Sequence, residues 1–290
     1  MDKPQKHLFI IGNPRSGSSL LRIMLNSHSQ ITVPPECGFI EWWYDKYKNY
    51  SEETNIKEFI KDLKTSRKIE TWGLNYDKLY KFLNKEVCKS YEELVFKVVE
   101  FYGLSKTKKK QQKVLGDKNN YYISSLKKLR EISPSSVFIF IVRDPKAVFA
   151  SYKAIRILET NSAYKPKLAS GVDEFLEEWF ENHHAILNFI DSLRQDDFLI
   201  VNYENLVLNT KEELLKATNF LKLDFDIKML KYYEVNDEPN TLLDWKKKTL
   251  KPPDSDSISQ YKNVLSLEEI TKIDIETRPV LKLLLNKYYE

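Results

Sequence analysis

Between Gly12 and Ser19 the chain reads Gly-Asn-Pro-Arg-Ser-Gly-Ser-Ser, with the apolar run Leu8–Ile11 before it and Leu20-Leu21-Arg22-Ile23-Met24-Leu25 after it. That is a strand, a glycine-bounded loop and a helix start, the arrangement in which backbone N–H groups and a helix N-terminus close around a phosphate. The G-x-x-x-x-G spacing followed by hydroxyl residues is that of an NTPase phosphate loop, with one decisive change: Ser18 stands where a triphosphatase carries lysine. Without that lysine the loop lacks the cation that reaches the outer phosphates of ATP, and Arg15 inside it supplies positive charge instead. The chemistry implied is a 5′-phosphate site for a nucleotide that is not a triphosphate, with Arg15, Ser16, Gly17, Ser18 and Ser19 as its ligands. Loops of this composition also occur as plain turns, so a second signature matters.

That signature is Val137-Phe138-Ile139-Phe140-Ile141-Val142-Arg143-Asp144-Pro145, running on to Ser151. Six consecutive apolar residues predict a strand buried on both faces. Asp144 followed by Pro145 predicts a helix start, an acceptor for free N–H groups and then a residue whose fixed φ suits the first turn. Arg143 thereby sits at the carboxyl end of a strand, where ligands bind in open α/β sheets. The Ser151 hydroxyl follows two turns into the helix. A planar arginine fork plus a hydroxyl is a phosphate clamp; the plainer alternative makes Arg143 a partner of Asp144. Of the 46 Lys plus Arg residues eight are Arg, and two of those eight fall in these two candidate sites.

Pro14-Arg15-Ser16-Gly17-Ser18-Ser19-Leu20-Leu21 resembles the phosphosulfate-binding loop of sulfotransferases, which use 3′-phosphoadenosine 5′-phosphosulfate (PAPS), and the Arg143/Ser151 pair is similar to their clamp on the 3′-phosphate. The resemblance implies further roles. Pro34-Pro35-Glu36 resembles the segment carrying the glutamate base of the Golgi-type and tyrosylprotein branches and their bacterial relatives; Glu36 is ionised at neutral pH and able to accept a hydroxyl proton. Its alternative is an acid favoured ahead of a helix at Phe39. In Val114-Leu115-Gly116-Asp117-Lys118-Asn119, the resemblance makes Lys118 the cation that neutralises the bridging oxygen and sulfonyl group. The cytosolic branch places its catalytic histidine just after this point, and Asn119-Asn120 stand here instead, which puts the base role on Glu36. Tyr203, in Asn202-Tyr203-Glu204-Asn205-Leu206, is similar to the tyrosine that packs on adenine. Ser259-Gln260-Tyr261-Lys262-Asn263 is a faint echo of the loop that closes on the nucleotide, with Lys251 and Ser259 as its carried-over ligands; the glycines and arginine of the cytosolic version are missing, and no glycine follows Gly171.

The elements needed to position these residues follow from the pattern. Strands are expected near 8–12, 113–116, 137–142 and 198–202, with a short one around 30–33. Helices are expected near 18–27, 38–48, 57–65, 76–87, 91–102, 121–132, 145–157, 172–193, 210–221 and 266–288, the last broken at Pro279. Alternating strands and helices predict an α/β, doubly wound fold with a central parallel sheet, and the loop after the first strand and the resemblance imply that it is P-loop NTPase-like. A helical insertion at 37–112, rich in Trp and Tyr, is a natural acceptor-side lid, although most of its aromatics are expected to be packing. A length of 290 residues without an interior linker or repeat predicts a single domain over 1–290.

Global composition narrows the class. Apolar runs stop at about six residues, against roughly twenty for a membrane span, so none is expected. Met1–Lys6 leads straight into the first strand, leaving no leader in this stretch, and Cys37 and Cys88 make neither a disulfide framework nor metal spacing. The expected location is therefore cytoplasmic, and Asn49-Tyr50-Ser51 an idle glycosylation sequon. The net charge of +4 is modest, and Lys106–Lys113 and Lys246–Lys248 are read as solvated loops that steer anions. No nucleic-acid recognition motif accompanies the charge. His183-His184 point about 100° apart on a helix and are read as packing or surface rather than metal ligands.

The resulting expectation is direct in-line transfer of the sulfuryl group of PAPS, without a metal, to a hydroxyl acceptor, with Glu36 as base and Arg15 and Lys118 stabilising the charge. Two other classes share the loop: a P-loop kinase with a degenerate phosphate loop, and a non-catalytic nucleotide-binding relative. Glycan, peptide tyrosine, lipid and small-molecule acceptors all remain open, as does a homodimer.

Overall fold

The computed structural model describes residues 5–51 and 55–289. The expectation about the extreme N-terminus falls partly on residues 1–4, outside the described residues. Among the described residues five strands, β1 (Lys6–Ile11), β2 (Ile31–Thr32), β3 (Val114–Lys118), β4 (Val137–Val142) and β5 (Phe198–Asn202), form a sheet in the order β2-β3-β1-β4-β5. Every pairing is parallel. The order reverses at β1, which has β3 on one side and β4 on the other, so the crevice lies beyond the carboxyl end of β1. This is the doubly wound, P-loop NTPase-like α/β architecture that the sequence predicts.

Period-two alternation shows why both sheet faces are covered. Leu8 and Ile10 of β1 join Ile139 and Ile141 of β4 under α1 (Ser18–Asn26), with Leu21, Met24 and Leu25. Phe9 and Ile11 point the other way with Phe138 and Phe140, into a core shared with Phe39, Trp72, Tyr91 and Phe96 of the insertion and Ile186 and Phe189 of α3 (Val172–Ile190). The insertion's Trp72 and Tyr47 are thus built into the core beneath the sheet.

Several elements depart from their expected bounds. The stretch 38–48 is split at Trp43 into Phe39–Trp42 and Tyr44–Tyr47, and 121–132 begins as a tight 3₁₀ turn, Asn120–Ser125, before the helix Leu126–Ile132. Tyr203–Leu208, which lies outside the expected helices, is helical because Asn202 caps it, its side-chain oxygen accepting from Asn205 N at 2.8 Å. The helix α4 (Leu267–Tyr288) runs through Pro279 without a break. It is anchored on both sides of the proline, by Lys153–Glu269 and Lys146–Asp274 before it and by buried Leu284 after it, which outweighs the lost hydrogen bond. No helix among the described residues is long and apolar enough to cross a membrane.

Candidate active site

Because all strands run the same way, the residues that follow β1, β3, β4 and β5 meet at one edge. After β1, the candidate phosphate loop turns through Arg15 at φ 69° and Gly17 at φ 96°, and Gly17 starts α1 with no side-chain cap. The first-turn amides are therefore left without a side-chain acceptor and are free to bind an anion. Gly17 is also where the chain passes closest to the Tyr203 ring: a Cβ there would lie 2.3 Å from it. After β4, Asp144 caps α2 (Pro145–Arg156), accepting from Lys146 N at 2.8 Å with Pro145 in the first turn, as the sequence predicts.

A cavity of about 690 Å³ opens at this edge, lined by Arg15, Gly17, Ser18, Ser19, Glu36, Lys118, Arg143, Ser151 and Tyr203. The sequence-predicted 5′- and 3′-phosphate residues therefore share one crevice. Arg15 Nε donates to Ser151 Oγ at 3.0 Å, and Arg143 donates to the Arg15 carbonyl at 3.0 Å, so the candidate cradles touch. Arg143 also lies over the Tyr203 ring, 4.1 Å from its centroid. Burial and the neighbouring Arg143 charge lower Arg15 to about 10. Arg143 Nε is buried without a hydrogen-bond partner among the described residues, a donor for which an anion is the natural acceptor. Ser18 Oγ donates to Asn120 Oδ1 at 2.9 Å, while Ser16 is buried off the lining, its amide donating to the Asn13 carbonyl.

Glu36 faces this crevice from the loop after β2. Its Oε2 accepts from Lys118 Nζ at 2.6 Å and its Oε1 is paired with Lys68. Burial alone would raise the Glu36 carboxyl; Lys118, Lys68 and Lys246 outweigh it and hold the group well below the usual carboxylate range. Lys118 is 2% exposed, and burial, with Lys246 adding to it, brings it down to about 8 against the attraction of Glu36.

Lys68, Lys246, Trp245 and Ser257 were not legible as site residues. Lys246 is buried and paired with Glu238 at 2.7 Å, and Glu238 also accepts from the fully buried Arg22 of α1 at 2.7 Å. Arg22 binds Asp237 as well, so the segment 236–249 is fastened to the phosphate-loop helix, and the Trp245 carbonyl accepts from Arg15 at 2.9 Å. The expectation of solvated loops fails here for Lys246 and for Lys109, which is half-buried, bonds the carbonyls of Asn26 and Ile31, and is lowered to about 7 by loss of hydration around its ammonium group. A run of lysines in sequence does not tell which one turns inward. Lys251 and Ser259 are exposed and absent from the cavity lining. Two positions from Ser259, Ser257 is buried, shares a hydrogen bond with the Tyr203 hydroxyl at 3.0 Å, and offers its carbonyl to Arg143 at 2.8 Å.

On the remaining wall, the insertion contributes Arg67 and Lys68, and none of Trp42, Trp43, Tyr44, Tyr47, Tyr50 or Trp72 lines the cavity. Leu158, Tyr164, Pro166, Lys167 and Leu168 line it from the loop after α2. That loop is tied to the insertion by Tyr164–Glu70 and by Arg67 donating to the Ala163 carbonyl at 3.3 Å, and to the 236–249 segment by Thr160–Asp244 and by Ser162 Oγ donating to the Thr241 carbonyl at 2.6 Å. His183, stacked on Trp179 and bonded to its carbonyl, is a core residue that burial lowers to about 4.

Among curated proteins, the chain is 20% identical over 278 residues to protein-tyrosine sulfotransferase A of Caenorhabditis elegans, covering 95% of this chain and 66% of that protein. It is 24% identical over 248 residues to the protein-tyrosine sulfotransferase of Drosophila melanogaster, covering 80% of this chain and 41% of the relative. The chain thus spans less than two thirds of the length of either. Two solved structures share its fold: the sulfotransferase domain of the Synechococcus PCC 7002 olefin synthase, with TM-score 0.59 and 20% identity over 95% of this chain and 96% of that one, and the sulfotransferase domain from the curacin biosynthetic pathway, with TM-score 0.61 and 19% identity over 96% and 99%. Residues 7–227, from β1 past the helix that follows β5, match the profile of the sulfotransferase family, and the chain belongs to that family.

Proposed function

We propose that this protein transfers the sulfuryl group of PAPS to a hydroxyl acceptor. The observation that carries the proposal is the convergence in one cavity of a lysine-free phosphate loop, the Arg143–Ser151 pair and a carboxylate flanked by lysines. Bound PAPS supplies the sulfuryl group and a ribose bisphosphate scaffold. The chain's part is to hold and to neutralise. The loop 12–19, with Arg15, holds the 5′-phosphate end, and Arg143 and Ser151 the 3′-phosphate. Ser151 Oγ accepts from Arg15, which leaves its own O–H free to donate. Tyr203 offers a flat apolar face beside both. Lys118 carries positive charge to where negative charge develops on the departing oxygen, the role that cationic clamps play in phosphoryl transfer. Glu36, ionised, takes the acceptor's proton.

The acceptor belongs to the hydroxyl class. The relatives named for protein tyrosine make a peptide tyrosine the first to try, ahead of glycan, lipid and small-molecule alcohols. Transfer of labelled sulfate from PAPS onto a panel of tyrosine peptides, glycans and phenols, with calorimetric binding of adenosine 3′,5′-bisphosphate set against ATP–Mg²⁺, tests the proposal. Tighter binding of the bisphosphate and label on an acceptor support it. Preference for ATP–Mg²⁺ sinks it in favour of a kinase.

A further inference from the structure

We propose that Lys68, carried by the helical insertion, is the positioning residue of the Glu36 carboxylate, holding one oxygen of that group while Lys118 holds the other. The inference rests on the assignment of Glu36 as the base, and it explains what the insertion contributes to the reaction. The carboxylate is divided between Lys68 at Oε1 and Lys118 at Oε2. Lys118 is a strand residue with its side chain almost fully buried; Lys68 comes from a turn that is part of no sheet element. That turn is fastened directly to the loop bearing Glu36: Trp72 Nε1 donates to the Pro35 carbonyl at 2.8 Å, and Cys37 Sγ donates to the Arg67 carbonyl at 3.5 Å. Lys68 itself takes φ 74°, a left-handed conformation that is unfavourable for a non-glycine residue and persists where the surroundings demand it.

The division of the carboxylate has a chemical consequence. A carboxylate gripped at both oxygens is well oriented but slow to take a proton. When an anionic donor attracts Lys118, Oε2 is released toward the acceptor, and Lys68 keeps the group from rotating away. The charged groups facing Glu36 are Lys68 from the turn, Lys118 and Asp117 from β3, Arg15 from the phosphate loop, and Lys246 with its partner Glu238 from the segment 236–249. Asp117 is raised by burial to about 7, and its Oδ2 accepts from the Tyr122 hydroxyl, so the local balance around the Glu36 carboxylate is cationic. Removing Lys68 leaves Oε1 without its partner in this surrounding.

The test is a titration of the 290-residue protein, labelled with carboxyl-¹³C glutamate, without any ligand. The Glu36 resonance is assigned by its loss in Glu36→Gln, and the titration is compared in the native protein, Lys68→Met and Lys68→Arg. The expected result is a rise of the Glu36 titration by about one to three pH units in Lys68→Met, the range for losing one close opposite charge, with Lys68→Arg restoring most of it. Lys68→Gln serves should the methionine variant fail to fold. An unchanged Glu36 titration in a folded Lys68 variant overturns the proposal. Since no substrate is present, the base assignment fails separately: a Glu36→Gln protein that still transfers sulfate overturns the base and leaves the Lys68–Glu36 titration result standing.

Discussion

Arg15 Nε lies 3.0 Å from Ser151 Oγ, and through that contact the loop after β1 is joined to the helix after β4. Residues 136 positions apart in the chain thus form one surface of the cavity. Arg143, which bonds the Arg15 carbonyl and stacks on Tyr203, completes it.

From this surface follows a separation of binding from chemistry. Arg143→Ala is expected to weaken binding of adenosine 3′,5′-bisphosphate by roughly ten- to a hundred-fold, the scale of one or two charge-assisted hydrogen bonds, with a smaller change in turnover. Glu36→Ala is expected to lower turnover by about 10²- to 10⁴-fold while the bisphosphate affinity changes little. Calorimetry and sulfate transfer on both variants check the pair. An equal collapse of nucleotide binding in both would contradict the separate roles.

Gly17→Ala is expected to damage the loop on two counts. At φ 96° an alanine is strained by about 1–2 kcal/mol, and its Cβ would meet the Tyr203 ring at 2.3 Å. The expected outcome is a lower thermal midpoint together with weakened bisphosphate binding. A variant with native midpoint and native affinity would show that the ring and the loop are not in this contact in solution.

Arg22 is fully buried and holds both Asp237 and Glu238. Burial works against its charge, but the two acids outweigh it and raise its proton affinity; Glu238, in turn, is held down at about 2 by Lys246 and Arg22 against its own burial. Arg22→Met leaves the buried Glu238 and the half-buried Asp237 short of a partner and is expected to cost about 3–5 kcal/mol, read by denaturant unfolding. A loss below about 1 kcal/mol would mean that the 236–249 segment is not fastened through this residue.

The pH dependence follows from Lys118. In the proposed reaction its charged form stands beside the departing oxygen, and it is lowered to about 8, so kcat/KM is expected to fall on the alkaline side with a midpoint near that value. Lys118→Arg is expected to move this limb upward, whatever it does to the maximum. For stability the sign is opposite to that of a raised lysine. Below about pH 8 the folded state carries a buried charge at a cost; between there and 10.5 the unfolded chain binds more protons, so this contribution relaxes and stability rises with pH. Glu36, held low, works the other way: its contribution is present above the ordinary carboxylate value and is lost as pH falls through its folded value. A pH–rate profile flat to pH 10 would remove Lys118 from the reaction.

What the sequence determined by itself was local. The run Val137–Val142, buried throughout, and the Asp144–Pro145 start of the next helix follow from apolar continuity and capping chemistry, both properties of neighbouring residues. That the loop after β1 and Glu36 are candidates for one site was likewise legible, because their residue types and spacing are short-range; the structure places both on one cavity. The tertiary structure alone decided which cations meet Glu36. Lys68 and Lys246 come from a turn of the insertion and from a segment near the other end of the chain, and nothing in their flanking residues separates them from the solvated lysines beside them. It also decided that Ser257 rather than Ser259 turns inward, a matter of register on a one-turn helix, and that α4 continues through Pro279, where packing on either side overrides a local preference. Burial and charge pairing between distant segments are energies of the whole fold, and a local pattern carries no record of them.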